Sequence, residues 1–156
     1  DFWVAVAVAL IGLAAGLLAA VGIGVFVTLV MVLREINKPM LAIEQRRGRA
    51  VAIHLLRGVY TANALENESA IIALATGENA TAVVLDLERQ YLITVTGLDM
   101  FEDLDRELAH HSAVLHLAAL PESAAKIARK TPWYAQLDAA GRVHASVEEG
   151  LAAASA

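Results

Sequence analysis

The chain begins with an unbroken apolar run. Residues 2–33 contain no Asp, Glu, Lys, Arg, His, Asn or Gln. About 20 apolar residues cross the hydrocarbon core of a bilayer, and a helix over this run would reach roughly 48 Å at about 1.5 Å per residue. The pattern therefore predicts one transmembrane helix over residues 1–33, which tilts or extends beyond the hydrocarbon.

Small residues recur at every fourth position within the apolar run. Small side chains let membrane helices approach closely, and rows spaced by four suit a right-handed crossing. We therefore expect this row to form a packing interface with a second transmembrane helix, from another copy of the same chain or from another subunit. The run contains no ionisable side chain, which argues against an ion pathway through this helix alone. The row consists of Gly12, Gly16, Ala20, Gly24 and Thr28.

Beyond residue 33 the apolar positions follow a mostly helical pattern. An interrupted apolar stripe runs from residue 40 to about residue 75 and indicates helix. The predicted organisation is a basic juxtamembrane helix over residues 34–58, a small helical domain over 59–140 and a flexible tail over 141–156. The predicted fold class is therefore all-α, with one N-terminal transmembrane helix followed by a small helical cytoplasmic domain.

The helical domain contains several predicted helix starts. Asp99 with Glu102 three residues later is similar to a capping box and predicts a helix that Pro121 ends. Further short helices are expected over residues 122–130, from about Thr131, and near residues 147–151.

Residues 80–96, with the sequence ATAVVLDLERQYLITVT, fit two structures. Val84, Leu87 and Tyr91 share one face of a helix, whereas the two apolar segments around residues 88–90 are also compatible with a β-hairpin. We favour the helix because both neighbouring segments are predicted to be helical and an isolated hairpin would need another surface to cover it.

Charge is distributed unevenly along the chain, whose net charge is −5. Residues 34–58 carry six Lys or Arg against two Glu, and residues 59–112 carry ten Asp or Glu against two Arg. Basic residues close to a membrane helix favour the cytoplasmic side. We therefore expect a cytoplasmic (inner) membrane protein with its N-terminus outside and its C-terminal domain in the cytoplasm.

The basic segment is expected to contact membrane lipid, because each Lys or Arg near anionic headgroups contributes on the order of 1 kcal/mol. Nucleic acid is excluded as a partner, since an acidic stretch follows directly and aromatic residues are few. The expected membrane-surface residues are Arg34, Lys38, Arg46, Arg47 and Arg49.

Candidate chemistry is sparse. Glu107 and His110 have the Glu-x-x-His spacing of di-iron bundles, with His111 adjacent, but such a site needs a second pair and two further Glu residues. The chain has no cysteine, which excludes disulfides and thiolate metal sites. Because there is also no Gly-rich phosphate loop or nucleophile elbow, the interpretation is a solvated helix face with no catalytic, metal or cofactor site.

These patterns lead to one main functional hypothesis and two alternatives. The main hypothesis is a non-catalytic single-pass membrane protein, acting as an accessory, scaffolding or assembly subunit of a membrane complex or as a homo-oligomer. The first alternative is a signalling fragment that begins at the last membrane helix of a receptor. Residues 34–44, REINKPMLAIE, resemble the first helix of a HAMP signalling module, in which a proline soon after the membrane precedes an apolar pattern. The second alternative is a metal-dependent enzyme that uses Glu107, His110 and His111.

Overall fold

The apolar N-terminal run forms two helices where the pattern predicts one. In the computed structural model, which describes residues 2–61 and 63–155 and omits the side chains of residues 11–15, 17, 36 and 37, helix α1 spans Phe2–Ala15 and α2 spans Leu17–Asn37. Gly16 separates them with a φ of +90°, a backbone conformation that favours glycine. The expected continuous helix over this run is therefore wrong.

Helix α2 folds back along α1. A Cβ atom at Gly24 would lie 3.5 Å from Cγ2 of Val8, and these two residues stand at equal sequence distances from Gly16. Within α2, the Thr28 hydroxyl donates a hydrogen bond to the carbonyl oxygen of Gly24 at 2.8 Å. The two helices form one compact unit, Asp1–Lys38 (unit 1), and the rest of the chain forms a second, Pro39–Ala156 (unit 2).

Unit 2 is built on a five-stranded mixed sheet with the strand order β1-β2-β3-β4-β5. Strands β1 and β2 are antiparallel, and β2 through β5 are parallel. The strands are β1 Leu41–Arg47, β2 Ala50–Leu55, β3 Ala82–Asp86, β4 Val114–Ala118 and β5 Val143–His144.

Helices cover both faces of the sheet. Ile53, Leu85 and Leu117 project from one face into the main core. The small side chains of Ala52 and Ala118 lie on the opposite face, where Leu151 of the last helix packs against them. Four helices contribute to the main core and one covers the opposite face, here called the α7 face. They are α3 Ala64–Gly77, α4 Val95–His110, α5 Glu122–Ala128, α6 Pro132–Ala139 and α7 Val147–Ala154.

The chain is therefore α/β, and the all-α prediction is wrong. The segment expected to be a basic helix, residues 34–58, contains the β1–β2 hairpin, so its similarity to a helical HAMP segment does not extend to the backbone. Residues 80–96 form neither the expected helix nor a hairpin. Within this range β3 pairs in parallel with β2 and β4, and only the last two residues belong to α4.

The helix starts agree with expectation only in part. Helix α4 begins at Val95 rather than Asp99, and its N-cap Thr94 accepts a hydrogen bond from the Gly97 amide at 3.1 Å. The short helices expected over residues 122–130 and from Thr131 are present as α5 and α6. The segment expected to be a flexible tail contains β5 and α7.

Candidate functional site

A polar row crosses the α7 face where the parallel strands end. The register places His54 beside Asp86, Asp86 beside Ala118 and Ala118 beside His144. Paired residues of neighbouring strands project to the same face of a sheet, so these side chains share the α7 face. Ligand sites in open α/β sheets commonly lie at the carboxyl ends of the strands, which makes this row the first candidate site.

Asp86 is the acid of this row, and it is buried, with 4% of its surface exposed. One carboxylate oxygen, Oδ2, contacts Nδ1 of His54. The other, Oδ1, accepts a hydrogen bond from the Glu88 backbone amide at 3.0 Å. Both oxygens are therefore held, and the carboxylate has a fixed direction at the end of β3.

His116 and His144 form a second polar pair on the same face. Their rings are stacked with centroids 5.2 Å apart, and Nδ1 of His116 lies 3.0 Å from Nε2 of His144. Burial lowers the pKa of His116 to about 4, and His144 and Arg142 add to this effect. Burial also lowers the pKa of His144. Both rings are therefore neutral near pH 7.

This histidine pair predicts a loss of stability in acid. An unfolded His116 takes up a proton near its ordinary pKa of 6.5, whereas the folded residue resists protonation until about 4. Acid therefore favours the unfolded state, and we expect the free energy of unfolding to fall by about 1–2 kcal/mol between about pH 7 and pH 5. Urea titrations at both pH values measure this change. The His116→Gln variant should lose much of it, and an unchanged pH dependence would contradict the assignment.

Two loops at the carboxyl edge of the sheet are fixed to each other by buried amide side chains. The Gln90 amide donates to the carbonyl oxygen of Arg57 at 2.9 Å and accepts from the Val59 amide at 3.0 Å. In the β2–α3 loop, the Asn63 side chain accepts from the Tyr60 amide and donates to the Gly58 carbonyl. The β2–α3 and β3–α4 loops are thus held in one arrangement.

These two loops present apolar side chains to solvent. Leu92 is 83% exposed and Val95 is 72% exposed at the start of α4. The Thr61 hydroxyl donates to Thr96 at 3.3 Å, which joins the β2–α3 loop to the first turn of α4. Exposed apolar side chains on a rigid support are typical of protein interaction sites. We call this set of residues the loop surface; it consists of Tyr60, Leu65, Tyr91, Leu92 and Val95.

The residues of the predicted small-residue row have different roles in the structure. Gly16 lies between the helices with a positive φ. Among the described atoms outside its chain neighbours, none lies within 4 Å of a Cβ built there, which fits a role in the turn. Gly24 faces α1 of the same chain, and Ala20 is 3% exposed. Gly12 lies in α1, and its side-chain surroundings fall outside the described residues. The contact at Gly24 is thus made within the chain.

The predicted basic residues do not share a helix. Arg34 lies in α2, and Lys38 forms an ion pair with Glu35 at 2.7 Å. In β1, Arg46 makes two hydrogen bonds to Glu78, which raise the pKa of the guanidinium. Arg47 is exposed at the end of β1, and Arg49 donates to the carbonyl oxygen of Asn79 at 3.1 Å.

The predicted Glu-x-x-His group does not converge. Glu107, His110 and His111 are exposed at the end of α4, and in the described part of the chain they do not form a group of three donor atoms within 4.8 Å of one another. Sequence reasoning missed Asp86 and Gln90. The signal for Asp86 was present, because a short run of β-branched residues that ends in Asp is typical of a buried parallel strand.

Comparison with known proteins identifies the fold. No family model and no curated protein matches the chain. Among solved structures, murine SLC26A9, an anion transporter in the inward-facing state, matches 91% of this chain at 13% identity with a TM-score of 0.65. A second SLC26A9 structure matches 86% at 11% identity with a TM-score of 0.57. This chain covers 27% of each of those transporter chains.

A smaller protein shares the fold as well. An anti-sigma factor antagonist from Mycobacterium paratuberculosis matches 76% of this chain and 95% of its own length, at 15% identity with a TM-score of 0.59. At such identities the likeness shows the fold alone, which is STAS-like.

Proposed function

We propose that this chain is a membrane-attached, STAS-like module that binds partner proteins within an anion-transport assembly and has no catalytic activity of its own. One observation carries this proposal. Unit 2 begins at Pro39 and makes up about three quarters of the chain, so a match to an anion transporter over 91% of the chain must include part of unit 1. The proposal keeps the accessory or assembly role expected from the sequence and assigns it to anion transport.

The composition of unit 1 supports membrane attachment. The window Leu18–Glu35 has a mean hydropathy of 2.0, and only 6% of it is buried, unlike the core helix of a soluble protein. The 21 residues of α2 give a helix of about 31 Å, which matches a hydrocarbon core of about 30 Å. Helix α1 has 14 residues and reaches about 21 Å. In this proposal α2 spans the bilayer and α1 enters it as the shorter arm of a hairpin.

The hairpin changes the expected topology. A single span would place the N-terminus outside, whereas a hairpin turns α1 back toward the side of the membrane from which α2 emerges, with Phe2 ending roughly 10 Å short of that surface. The basic residues that follow α2 favour the cytoplasm for that side. We therefore propose that α1 turns back toward the cytoplasmic side and that unit 2 lies in the cytoplasm.

Cysteine labelling tests this topology, because the chain has no native cysteine. Phe2→Cys and Ser155→Cys are both expected to resist a membrane-impermeant thiol reagent in intact cells, and Ser155→Cys is expected to react after permeabilisation. Labelling of Phe2→Cys alone in intact cells would support the single-span topology instead of the hairpin. Labelling of Ser155→Cys in intact cells would overturn the cytoplasmic placement of unit 2.

The loop surface is the proposed partner-binding site. It combines large exposed apolar side chains with loops that Gln90 and Asn63 hold rigid, so binding requires little loop ordering. Apolar anchors on such a support are typical of the few residues that dominate an interface.

Charge substitution on the loop surface tests the proposed site. The double variant Leu92→Asp/Val95→Asp is expected to weaken partner binding at least about tenfold, because two desolvated anchors are replaced by charges. Quantitative co-purification in mild detergent measures the change. Val114→Asp is the matched control, since Val114 is 44% exposed at the opposite end of the sheet. Equal loss of partners from the control and the double variant would contradict the assignment.

A second candidate function is partner regulation without transport. A match over 76% of this chain covers 95% of an anti-sigma factor antagonist, so a protein of about the size of unit 2 exists with this fold alone. In that case the loop surface binds a soluble regulatory protein. The partner recovered on the loop surface distinguishes the two candidates, because only the first requires an anion-transport protein.

A further inference from the structure

Three donor side chains from neighbouring strands meet on the α7 face of the sheet. Glu44 of β1, His54 of β2 and Asp86 of β3 each offer one ligand atom, and these atoms lie within 4.8 Å of one another. The side chains of His54 and Asp86 are 13% and 5% exposed, whereas Glu44 is exposed. We propose that these three residues bind one divalent transition-metal cation of the Zn²⁺ type.

The backbone geometry of β1 places Glu44 beside the other two donors. The β1–β2 register is irregular between Ile43 and Gln45, so Glu44 occupies a β-bulge opposite β2. Bulges redirect side chains and are frequent beside functional sites. Ala42 pairs with His54, and Ala118 pairs with Asp86. Two methyl groups therefore flank the buried donors.

The donor set selects the kind of metal. One imidazole and two carboxylates form a mixed nitrogen and oxygen set that suits Zn²⁺, whereas Ca²⁺ needs about six to eight oxygen ligands. Zinc ligands lie about 2.0–2.2 Å from the ion, and hence roughly 3.3 Å from each other in a tetrahedral site. His54 Nδ1 and Asp86 Oδ2 contact each other directly, so they must separate to this distance when the ion enters. The long, exposed side chain of Glu44 can rotate toward the ion, and water completes the coordination.

The neighbouring hydrogen bond fixes one ligand. The Glu88 amide donates to Oδ1 of Asp86 at 3.0 Å, which leaves Oδ2 directed at His54. Hydrogen bonds of this kind orient the first ligands of metal sites. A buried carboxylate requires a compensating charge, and a divalent ion supplies it to Asp86 and Glu44 together.

Zinc titration of the full-length chain in detergent tests the site. Isothermal titration calorimetry with ZnCl₂ is expected to show one Zn²⁺ bound per chain. Affinity should fall about tenfold in Glu44→Gln and about a hundredfold in Asp86→Asn, in line with losses of ligands and their supports elsewhere. Two controls should bind as the wild type does: Glu78→Gln, an exposed carboxylate, and His111→Asn, an exposed histidine of the Glu-x-x-His segment.

Each other outcome overturns the proposal. Absence of stoichiometric Zn²⁺ binding by the wild type removes the site. Equal affinity of the wild type, Glu44→Gln and Asp86→Asn places the ion elsewhere, and a loss confined to His111→Asn places it at the end of α4. Circular dichroism of the metal-free variants checks their folding, and Glu44→Gln remains decisive if Asp86→Asn fails to fold, because Glu44 is exposed. This test is independent of anion transport.

Discussion

Replacing Gly150 with valine is expected to lower the free energy of unfolding by about 3 kcal/mol, because α7 must move away from the sheet. Gly150 lies where α7 crosses β3, and a Cβ atom there would stand 2.7 Å from Cγ1 of Val84 and 3.3 Å from Cδ2 of His144. Val84 is fully buried, so it has no space into which to move. Gly150→Ala should show a smaller loss in the same direction.

Urea unfolding followed by tryptophan fluorescence measures this effect. The chain has two tryptophans, and a Trp3→Phe background leaves Trp133 as the reporter of unit 2. Gly77→Ala is the control, because no atom lies within 4 Å of a Cβ built at Gly77, and its stability should change by less than about 1 kcal/mol. Wild-type stability of both Gly150 variants would mean that α7 does not pack on the sheet at this distance.

The second large effect is expected at Asp105. Its carboxylate accepts hydrogen bonds from the Trp133 indole at 3.1 Å and from Arg142 at 2.7 Å, which joins α4 to α6 and to the segment before β5. Asp105→Ala leaves the partly buried guanidinium and indole N–H without this acceptor. We expect a loss of about 2–3 kcal/mol.

A nearby position of the same helix offers a matched control for Asp105. Asp103 forms an exposed ion pair with Arg106 at 2.8 Å, and pairs of this kind contribute about 0–1 kcal/mol. Asp103→Ala is therefore expected to be nearly neutral in the same Trp3→Phe background. If the two variants are equally stable, the Asp105 network does not hold these elements together.

The sequence pattern predicted the elements that have strong local signals. The uncharged run over residues 2–33 is helical except at Gly16, and α5 and α6 begin close to where a cap or a proline predicted them. The break at Gly16 was not predictable from the pattern, because glycine is common within membrane helices. Its conformation depends on the packing of Val8 against α2, which no local pattern records.

The strands were missed for a different reason. Parallel strands covered on both faces show continuous apolar runs rather than alternation, and such runs are as compatible with a helix as with a strand. In β2, Ala52 and Leu55 fitted an interrupted apolar stripe at helical spacing, yet Ala50 and Ala52 are small because α7 packs against them. The enrichment of valine in AVVLD was the better signal.

The candidate sites depend on this sheet, so they could not be predicted from the sequence alone. Glu44, His54 and Asp86 are separated along the chain and meet only through strand pairing. Gln90 likewise reaches Arg57 across two loops. The Glu-x-x-His segment, by contrast, matched a familiar spacing that the fold leaves exposed at the end of a helix.

Anion flux tests the central proposal most directly. The full-length chain, purified in mild detergent with its partners and reconstituted into liposomes, is expected to give saturable uptake of a radiolabelled anion such as sulfate or chloride. Uptake should fall at least about tenfold for Leu92→Asp/Val95→Asp and remain unchanged for Val114→Asp. Absence of anion flux from the wild-type preparation, or flux that the loop-surface variant leaves unchanged, would contradict the account.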